Sequence, residues 1–297
     1  MSAAFAGDLG LWGLSVTVRH GHEVKGGGQE CPPHTTLGAA GATILRDTIR
    51  HMLRMMVVTA HPDDEASSFG GSLRLYRERG VETCVICLTP GQAATYRGGA
   101  RHDHELVSMR RKEFADACEI LKVSRGLVLD YPDGQLHRLD MQRVVSDLAL
   151  RIREFRPQVL LTFDPGGSVT GHTDHSMASI FATLAFHWAG RNNRFPDQLN
   201  SSVSPYQPQK LYYTTADFIL PGRQPVTLAP ITTTIEIGEY LETKIDAFRV
   251  HLSQQPLWPL FEEYARKRGR RELFHLVAAV RADSVAPESD LFAGVSE

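Results

Sequence analysis

Short apolar segments alternate with amphipathic segments along the chain from residue 55 onwards. The apolar segments have the length and composition of strands that are buried on both faces of a sheet. Between them, apolar residues recur every three or four positions, which is typical of helices that pack one face on a core. The pattern predicts strands at 55–60, 81–88, 127–130, 159–163, 211–215, 231–237 and 273–280. It predicts helices at 66–79, from Asp103 to about 121, at 141–155, after residue 171, and at 238–252.

This alternation of strands and helices predicts an α/β fold. We expect a single Rossmann-like domain with a mostly parallel sheet that is covered by helices on both faces. In such a sheet, ligands bind at the carboxyl ends of the strands. Residues that follow a strand and begin a helix are therefore the first candidates for functional side chains.

Residues 1–51 lack this regular pattern. They contain the glycine run 26–28 and the segment Cys31-Pro32-Pro33, and neither a helical nor a strand period persists. The composition favours a poorly ordered N-terminal extension, and a cap over the active site is the alternative. The remaining residues, 52–297, have the length expected of one α/β domain.

Composition narrows the class of protein. The 32 Lys and Arg residues nearly balance the 34 Asp and Glu residues, so the net charge is −2 and no general positive field attracts nucleic acid. No apolar segment reaches the roughly 20 residues that a membrane span needs, and no basic region precedes the early apolar run, as a secretory signal would require. We therefore expect a cytoplasmic protein that acts on a small molecule, with neither nucleic acid nor a membrane as a partner. Assembly into a homo-oligomer is left open.

A first cluster of polar residues follows the first predicted strand. His61, Asp63, Asp64 and Glu65 stand together there, and Pro62 fixes the backbone between them. Crowded carboxylates are costly unless a cation or a proton intervenes. The alternative is a helix start whose acids suit the helix dipole, but that explanation does not account for His61.

A second cluster, Gly171-His172-Thr173-Asp174-His175, follows another apolar strand and also begins a helix. Two such clusters can converge at one crevice of an α/β sheet. His61, Asp64 and His175 would then supply two nitrogens and one oxygen to a metal. Such a set leaves a coordination position open for water, which is typical of a catalytic zinc site. The alternative is that His172 and His175 are only polar residues at a helix start.

The two clusters and three further motifs resemble the PIG-L/LmbE-like zinc-dependent de-N-acetylases, which remove acetyl groups from N-acetylglucosaminyl compounds. The similarity runs from about residue 55 to the C-terminus. Its motifs in this chain are 60–65 (AHPDDE), 171–175 (GHTDH), Glu105-Leu106-x-x-x-Arg110-x-x-Glu113, Asp133-Gly134, and Lys244-x-x-Ala247-x-x-x-His251-x-Ser253-Gln254.

This resemblance implies a role for each residue of the two clusters. His61, Asp64 and His175 would bind Zn²⁺, and Asp63 would be the general base. His172 would stabilise the oxyanion and donate a proton, and Asp174 would orient His172. Because residues two apart do not face each other on a helix, His172 is expected in the preceding loop or cap.

Two positions depart from the family pattern. Gln92 stands where the family often has the acid of a T-x-G-E motif, and Thr170 stands where the mycothiol-pathway branch has a tyrosine. Both departures concern the substrate rather than the metal chemistry.

We therefore expect a zinc-dependent amide hydrolase that deacetylates an N-acetylated amino sugar, with a small polar glycoside or amide as substrate. Arg110 and Asp133 are the predicted substrate contacts, and a surface ion pair of Arg110 with Glu105 or Glu113 is the alternative. The loop 190–210 is expected to shape the far side of the pocket. Other readings are an amidase that acts on a thiol conjugate, a metal-binding module without turnover, and a nucleotide-dependent α/β enzyme. A nucleotide-dependent enzyme would be expected to contain a glycine-rich nucleotide-binding motif, which this sequence lacks.

The weak pattern of residues 1–51 generates a first prediction. A chain that begins at Met52 should be soluble, with a melting temperature close to that of the full chain, because the segment supplies no periodic apolar face to the core. Thermal unfolding of the two proteins, followed by circular dichroism, checks this. A large drop in melting temperature would favour a packed cap instead.

Overall fold

The apolar segments form a seven-stranded sheet in the computed structural model, which describes residues 52–220, 222, 225–281 and 287–296. The predicted extension at 1–51 lies outside these residues and stays a prediction. The strands are β1 Arg54–Thr59, β2 Glu82–Cys87, β3 Arg125–Val128, β4 Val159–Thr162, β5 Lys210–Thr215, β6 Thr233–Glu236 and β7 Arg271–Ala279. Their order across the sheet is β3-β2-β1-β4-β5-β7-β6.

The first five strands pair in parallel, and β7 pairs antiparallel with both β5 and β6. The predicted α/β class with a mostly parallel sheet is thus confirmed. The antiparallel edge was not predicted, because the apolar pattern of a strand does not encode its direction.

Six helices lie in the described ranges: α1 Asp64–Glu78, α2 Asp103–Ile120, α3 Met141–Phe155, α4 Thr173–Ala189, α5 Tyr240–Arg249 and α6 Trp258–Arg268. Helix α5 packs on α1 and α2, whereas α3 packs on α4. Strands β4 and β5 are buried along their whole length, as expected when helices cover both faces of a sheet. None of these helices is long and apolar enough to cross a membrane.

The C-terminal third differs most from the prediction. The helix expected at 238–252 ends at Arg249, and a 3₁₀ segment, Leu252–Leu257, follows it. Helix α6 was not predicted at all. None of its residues is buried, and prolines at 256 and 259 interrupt the pattern that would have marked it.

The order of the strands creates a crevice at one point of the sheet. Strands β1 and β4 are neighbours, but the chain continues from β1 to β2 on one side and from β4 to β5 on the other. The connections after β1 and β4 therefore separate above the sheet and leave room between them, which is where open α/β sheets bind ligands.

The segment after α4 is fixed by one buried arginine. Arg153 on α3 is only 2% exposed. Its guanidinium donates hydrogen bonds to the carbonyl oxygens of Ala189, Arg191, Arg194 and Phe195 and to the side chain of Gln198, over distances of 2.8–3.2 Å. A positive charge that is buried in this way needs several acceptors, and the carbonyls at the end of a helix supply them.

Replacing Arg153 should therefore destabilise the fold. We expect Arg153→Met to lower the free energy of unfolding by about 3 kcal/mol, because several buried carbonyls lose a charged donor. The exposed Arg143 on the same helix is a matched control, and Arg143→Met should change stability by less than about 0.5 kcal/mol. Urea unfolding measures both, and equal effects would contradict the role given to Arg153.

Candidate active site

The two polar clusters meet in the crevice between β1 and β4. His61, Pro62 and Asp63 connect β1 to α1, which begins at Asp64. His172 is the N-cap of α4, and His175 lies in the first turn of that helix. Because both strands are parallel neighbours, their carboxyl ends deliver these residues to the same place.

Three imidazole rings face one another at this point. The centroid of the His61 ring lies 4.7 Å from that of His172 and 5.4 Å from that of His175, and the last two are 5.2 Å apart. His175 also stacks on Phe163, with a centroid distance of 4.1 Å. This stacking on a core residue fixes the plane of the His175 ring.

The Asp64 carboxylate contacts two of these rings. Its Oδ1 lies 3.2 Å from Nε2 of His175, and its Oδ2 lies 3.6 Å from Nδ1 of His61. Oδ2 also accepts hydrogen bonds from the backbone N–H groups of Ala60 and His61, at 3.1 and 2.8 Å. Burial alone would raise the pKa of Asp64, but the charges of His175 and His61 outweigh it and hold that pKa well below its usual range.

The opposite nitrogen of His61 faces two more carboxylates. Nε2 lies 3.0 Å from Oδ1 of Asp133 and 3.5 Å from Oδ2 of Asp174. Burial lowers the pKa of His61, but Asp133, Asp174 and Asp64 together raise it well above the usual value. Positive charge is therefore strongly favoured at this position, whether a proton or a metal ion carries it.

Two sets of side chains in the described ranges could hold a metal ion: His61 with His172 and His175, and His61 with Asp133 and Asp174. Within each set the potential ligand atoms lie within 4.8 Å of one another. The predicted set of His61, Asp64 and His175 is joined by the contacts described above. Nε2 of His61 is buried and finds no well-aligned hydrogen-bond partner among the described residues. Nδ1 of His61 and Nε2 of His175 both face the Asp64 carboxylate, and two imidazole nitrogens beside a carboxylate fit a divalent cation such as zinc.

His172 is the N-cap residue of α4, as its spacing from Asp174 in the sequence predicts. Its Nδ1 accepts a hydrogen bond of 3.1 Å from the backbone N–H of Asp174. The Asp174 carboxylate points elsewhere and accepts from the backbone N–H groups of Gly134 and Leu136, at 2.7 and 3.3 Å. The backbone of Asp174, rather than its side chain, therefore orients His172, and it leaves the ring proton on Nε2. Gly167 makes this loop possible, because a Cβ there would lie 2.7 Å from the His172 carbonyl oxygen.

Asp63 adopts a backbone conformation that is rare for residues other than glycine, with φ at 115°. Its backbone N–H donates a hydrogen bond of 3.0 Å to Oε2 of Glu65. Burial, reinforced by the charges of Asp64 and Glu65 and opposed by that of Arg110, raises the pKa of Asp63 to about 6. A carboxyl with a raised pKa that faces a cavity has the properties of a general base.

Arg110, a predicted substrate contact, points into the protein and is 3% exposed. Its guanidinium donates to the Gly91 carbonyl at 3.0 Å, to the Pro62 carbonyl, and to Oδ2 of Asp63 at 3.1 Å. The alternative of a surface pair with Glu105 or Glu113 is wrong. Gly91 permits this placement, because a Cβ there would lie 2.1 Å from a guanidinium nitrogen.

Three buried polar contacts support the site and were not predicted. His251 Nε2 lies 2.7 Å from Oε1 of Glu65, so the same Glu65 side chain joins the segment that follows α5 to the backbone of Asp63. Glu113 accepts two hydrogen bonds of 2.7 Å from Ser253, and Lys244 pairs with Glu272 at 2.6 Å. The sequence does show charged residues among apolar ones in these segments, which suggests that they are buried. It does not show which residue each of them contacts.

The histidine and aspartate cluster opens on a cavity of about 500 Å³. His61, Asp63, Asp64, Arg110, Asp133, His172 and His175 are among its lining residues. The loop 190–210 is not, so its predicted contribution to the pocket is wrong. That segment is held beside α3 and α4 by Arg153, and residues of the C-terminal third form the far wall instead.

Known proteins are similar to this chain in sequence and in fold. The family model for PIG-L, GlcNAc-PI de-N-acetylase, matches residues 56–186. The mycothiol S-conjugate amidase of Streptomyces coelicolor is 28% identical over 303 residues, which cover 82% of this chain and 98% of that protein. The diacetylchitobiose deacetylase of Thermococcus kodakarensis is 28% identical over 226 residues, or 75% of this chain and 78% of that protein.

A solved structure has the same fold. The N,N'-diacetylchitobiose deacetylase of Pyrococcus horikoshii superimposes with a TM-score of 0.65 at 24% identity, over 75% of this chain and 83% of that one. Together with the matched family model, this confirms the resemblance that the motifs indicated. The chain is thus similar to PIG-L/LmbE-like proteins, with the family model matching residues 56–186.

The contact between Arg110 and Asp63 can be tested directly. Arg110→Gln should raise the pKa of Asp63 above about 6, by about one unit or more, because the carboxylate loses the positive charge that stabilises it. The titration can be followed by carbon-13 NMR of labelled aspartate in metal-free protein. Arg111 on the same helix pairs with Asp130 instead, so Arg111→Gln should leave the titration unchanged. Equal curves for the two variants would contradict the contact.

Proposed function

We propose that this protein is a zinc-dependent hydrolase that removes the acetyl group from an N-acetylated amino sugar. The observation that carries the proposal is the placement of Asp63 beside the cluster of His61, Asp64 and His175, on one cavity. Such a site combines a metal-binding set with a base whose pKa, at about 6, is suited to work near neutral pH.

His61, Asp64 and His175 would hold the metal ion. Two imidazole nitrogens and a carboxylate oxygen form a donor set that zinc accepts readily. When bound, zinc would activate water and polarise the carbonyl of the amide. The carboxylates of Asp133 and Asp174 lie behind His61 and would hold its ring in place.

Asp63 would move the proton. Arg110 occupies its Oδ2, which leaves Oδ1 to take a proton from the attacking water and pass it to the departing amine. The Arg110 guanidinium also keeps the carboxyl ionised over a wider pH range, because it lowers the pKa that burial raises. Arg110 would thus position the base, rather than contact the substrate as predicted from the sequence.

His172 would stabilise the carbonyl oxygen. Its Nδ1 is engaged with the Asp174 backbone, so Nε2 carries the proton and can donate a hydrogen bond as negative charge develops on that oxygen. Burial and the charges of His61 and His175 lower the pKa of His172, which favours the neutral ring. A hydrogen-bond donor role therefore fits this residue better than the predicted transfer of its proton.

The comparisons support an amino-sugar amide as the substrate. The Thermococcus kodakarensis relative is a diacetylchitobiose deacetylase, and Asp133, which lines the cavity, offers a carboxylate that could also accept a hydrogen bond from a sugar hydroxyl. A second candidate is an amidase that acts on a thiol conjugate. It is favoured by the Streptomyces coelicolor relative, which this chain matches over 98% of that protein's length.

The proposal predicts distinct effects for two substitutions. His175→Ala should lose bound zinc and activity together. Asp63→Asn should keep zinc but lower kcat by about 10²–10⁴-fold, because it removes only the base. Zinc content by elemental analysis and amine release from N-acetylglucosamine compounds, with a mycothiol-type conjugate in parallel, measure these effects. The exposed His187 on α4 is the matched control, and His187→Ala should change neither.

The same assays give the results that would contradict the proposal. A chelator should abolish turnover, and added zinc should restore it. Full activity of a demonstrably metal-free sample would rule out the metal site. Near wild-type turnover of Asp63→Asn would show that Asp63 is not the base. Cleavage of the thiol conjugate alone would favour the second candidate.

A further inference from the structure

The cavity continues well beyond the histidine and aspartate cluster. Its far wall is built by residues of the C-terminal third: Phe218, Leu241, Phe248, Leu260, Phe261 and Tyr264. We call this set the apolar wall. It lines the same cavity as the polar cluster, so one ligand could contact both.

The aromatic members of the apolar wall are ordered in stacked pairs. The rings of Phe248 and Phe261 stack at 4.0 Å, and those of Phe218 and Tyr264 stack at 4.7 Å. Stacking of this kind holds the rings in fixed orientations and presents a flat apolar surface. The wall is thus a formed surface rather than a group of loose side chains.

The wall is also incompletely covered by the protein itself. Helix α6, which supplies Leu260, Phe261 and Tyr264, has no buried residue, and Leu260 is 43% exposed. Apolar side chains that line a cavity and stay in contact with solvent are typical of ligand-binding surfaces. An acetyl group and a sugar ring at the polar cluster would leave this wall unused, since their own groups are small or polar.

Arg268 adds a charge at this end of the cavity. Its guanidinium lies over the ring of Phe218, 5.0 Å from the centroid, and it lines the cavity. Within the described residues it has no ion-pair partner within 4.0 Å, and its Nε is buried without a hydrogen-bond acceptor. The neighbouring cations differ, because Lys244 pairs with Glu272 at 2.6 Å and Arg271 with Asp217 at 3.9 Å.

We propose that the apolar wall is a subsite for an aromatic aglycone of the amino sugar, and that Arg268 pairs with an anionic substituent on that aglycone. The inference rests on the proposed function, which places the scissile amide at the polar cluster. A planar guanidinium held against an aromatic ring suits a carboxylate, because it can bind both oxygens at once. The substrate class is therefore an N-acetylated amino sugar joined to an aromatic, anionic group.

Three glycosides of N-acetylglucosamine test the proposal with the zinc-loaded protein. We expect kcat/KM to rise about tenfold from the methyl to the phenyl glycoside, because a phenyl group buries apolar area on the wall. We expect a further rise of about tenfold with the 4-carboxyphenyl glycoside, because its carboxylate meets Arg268. Equal kcat/KM values for all three compounds would overturn the proposal.

Matched variants connect these preferences to named residues. Tyr264→Ala should lower the ratio of phenyl to methyl kcat/KM by about tenfold. Leu252 is 62% exposed and does not line the cavity, so Leu252→Ala should leave the ratio unchanged. Arg268→Gln should abolish the advantage of the carboxyphenyl over the phenyl compound, whereas Arg270→Gln, beside it but outside the cavity, should not. Melting temperatures show whether each variant is folded, and Leu260→Ala replaces Tyr264→Ala if the latter is not.

A binding measurement separates this inference from the proposed function. The phenyl and methyl glycosides of glucosamine, which have no acetyl group to remove, are titrated into the protein by calorimetry. If the phenyl compound binds about tenfold tighter but no acetylated glycoside is hydrolysed, the subsite stands and the deacetylase activity fails. If the acetylated compounds are hydrolysed but neither binding nor rate prefers the phenyl group, the deacetylase activity stands and the subsite is overturned.

Discussion

The concentration of negative charge at the carboxyl ends of β1 and β4 is the constraint on which the rest of the structure depends. Asp63, Asp64, Asp133 and Asp174 converge there with little solvent around them. Carboxylates so close together repel one another, and burial removes the water that would screen them. The protein holds them together by placing hydrogen-bond donors and positive charge between them, and the pKa of His61 rises for the same reason. A divalent cation would complete the neutralisation.

The carboxylates are stabilised differently at the two sides of the cluster. On the Asp63 side, Arg110 reaches from α2 and holds both the side chain and the preceding carbonyl, and Glu65 fixes the backbone N–H. These contacts keep Asp63 at a φ of 115°, which would otherwise be costly. On the Asp174 side, backbone N–H groups of the loop after β3 do the work. The Asp63 carboxylate is therefore held by side chains, whereas the Asp174 carboxylate is held by main chain.

Much of the histidine and aspartate cluster could be predicted from the sequence, because it follows from the order of strands and helices along the chain. His61 and His175 each follow an apolar strand and each begin a helix, and parallel strands bring such residues to one edge. Arg110 could be identified but not its partner, since Asp63 is 47 positions away and only the folded chain shows that they meet. The direction of β7 and the existence of α6 were equally out of reach. The apolar pattern of a strand is the same whether it runs parallel or antiparallel. A helix without buried residues has no strong apolar periodicity by which it could be predicted.

That exposed helix has a consequence for how proteins of this architecture can diversify. Because α6 has no fully buried residue, substitutions at its exposed positions cost little stability. The histidine and aspartate cluster lies instead at the ends of strands β1 and β4, which form the core of the sheet. In the proposed arrangement, mutation of this one peripheral helix would change which groups the apolar wall accepts without disturbing the histidine and aspartate cluster.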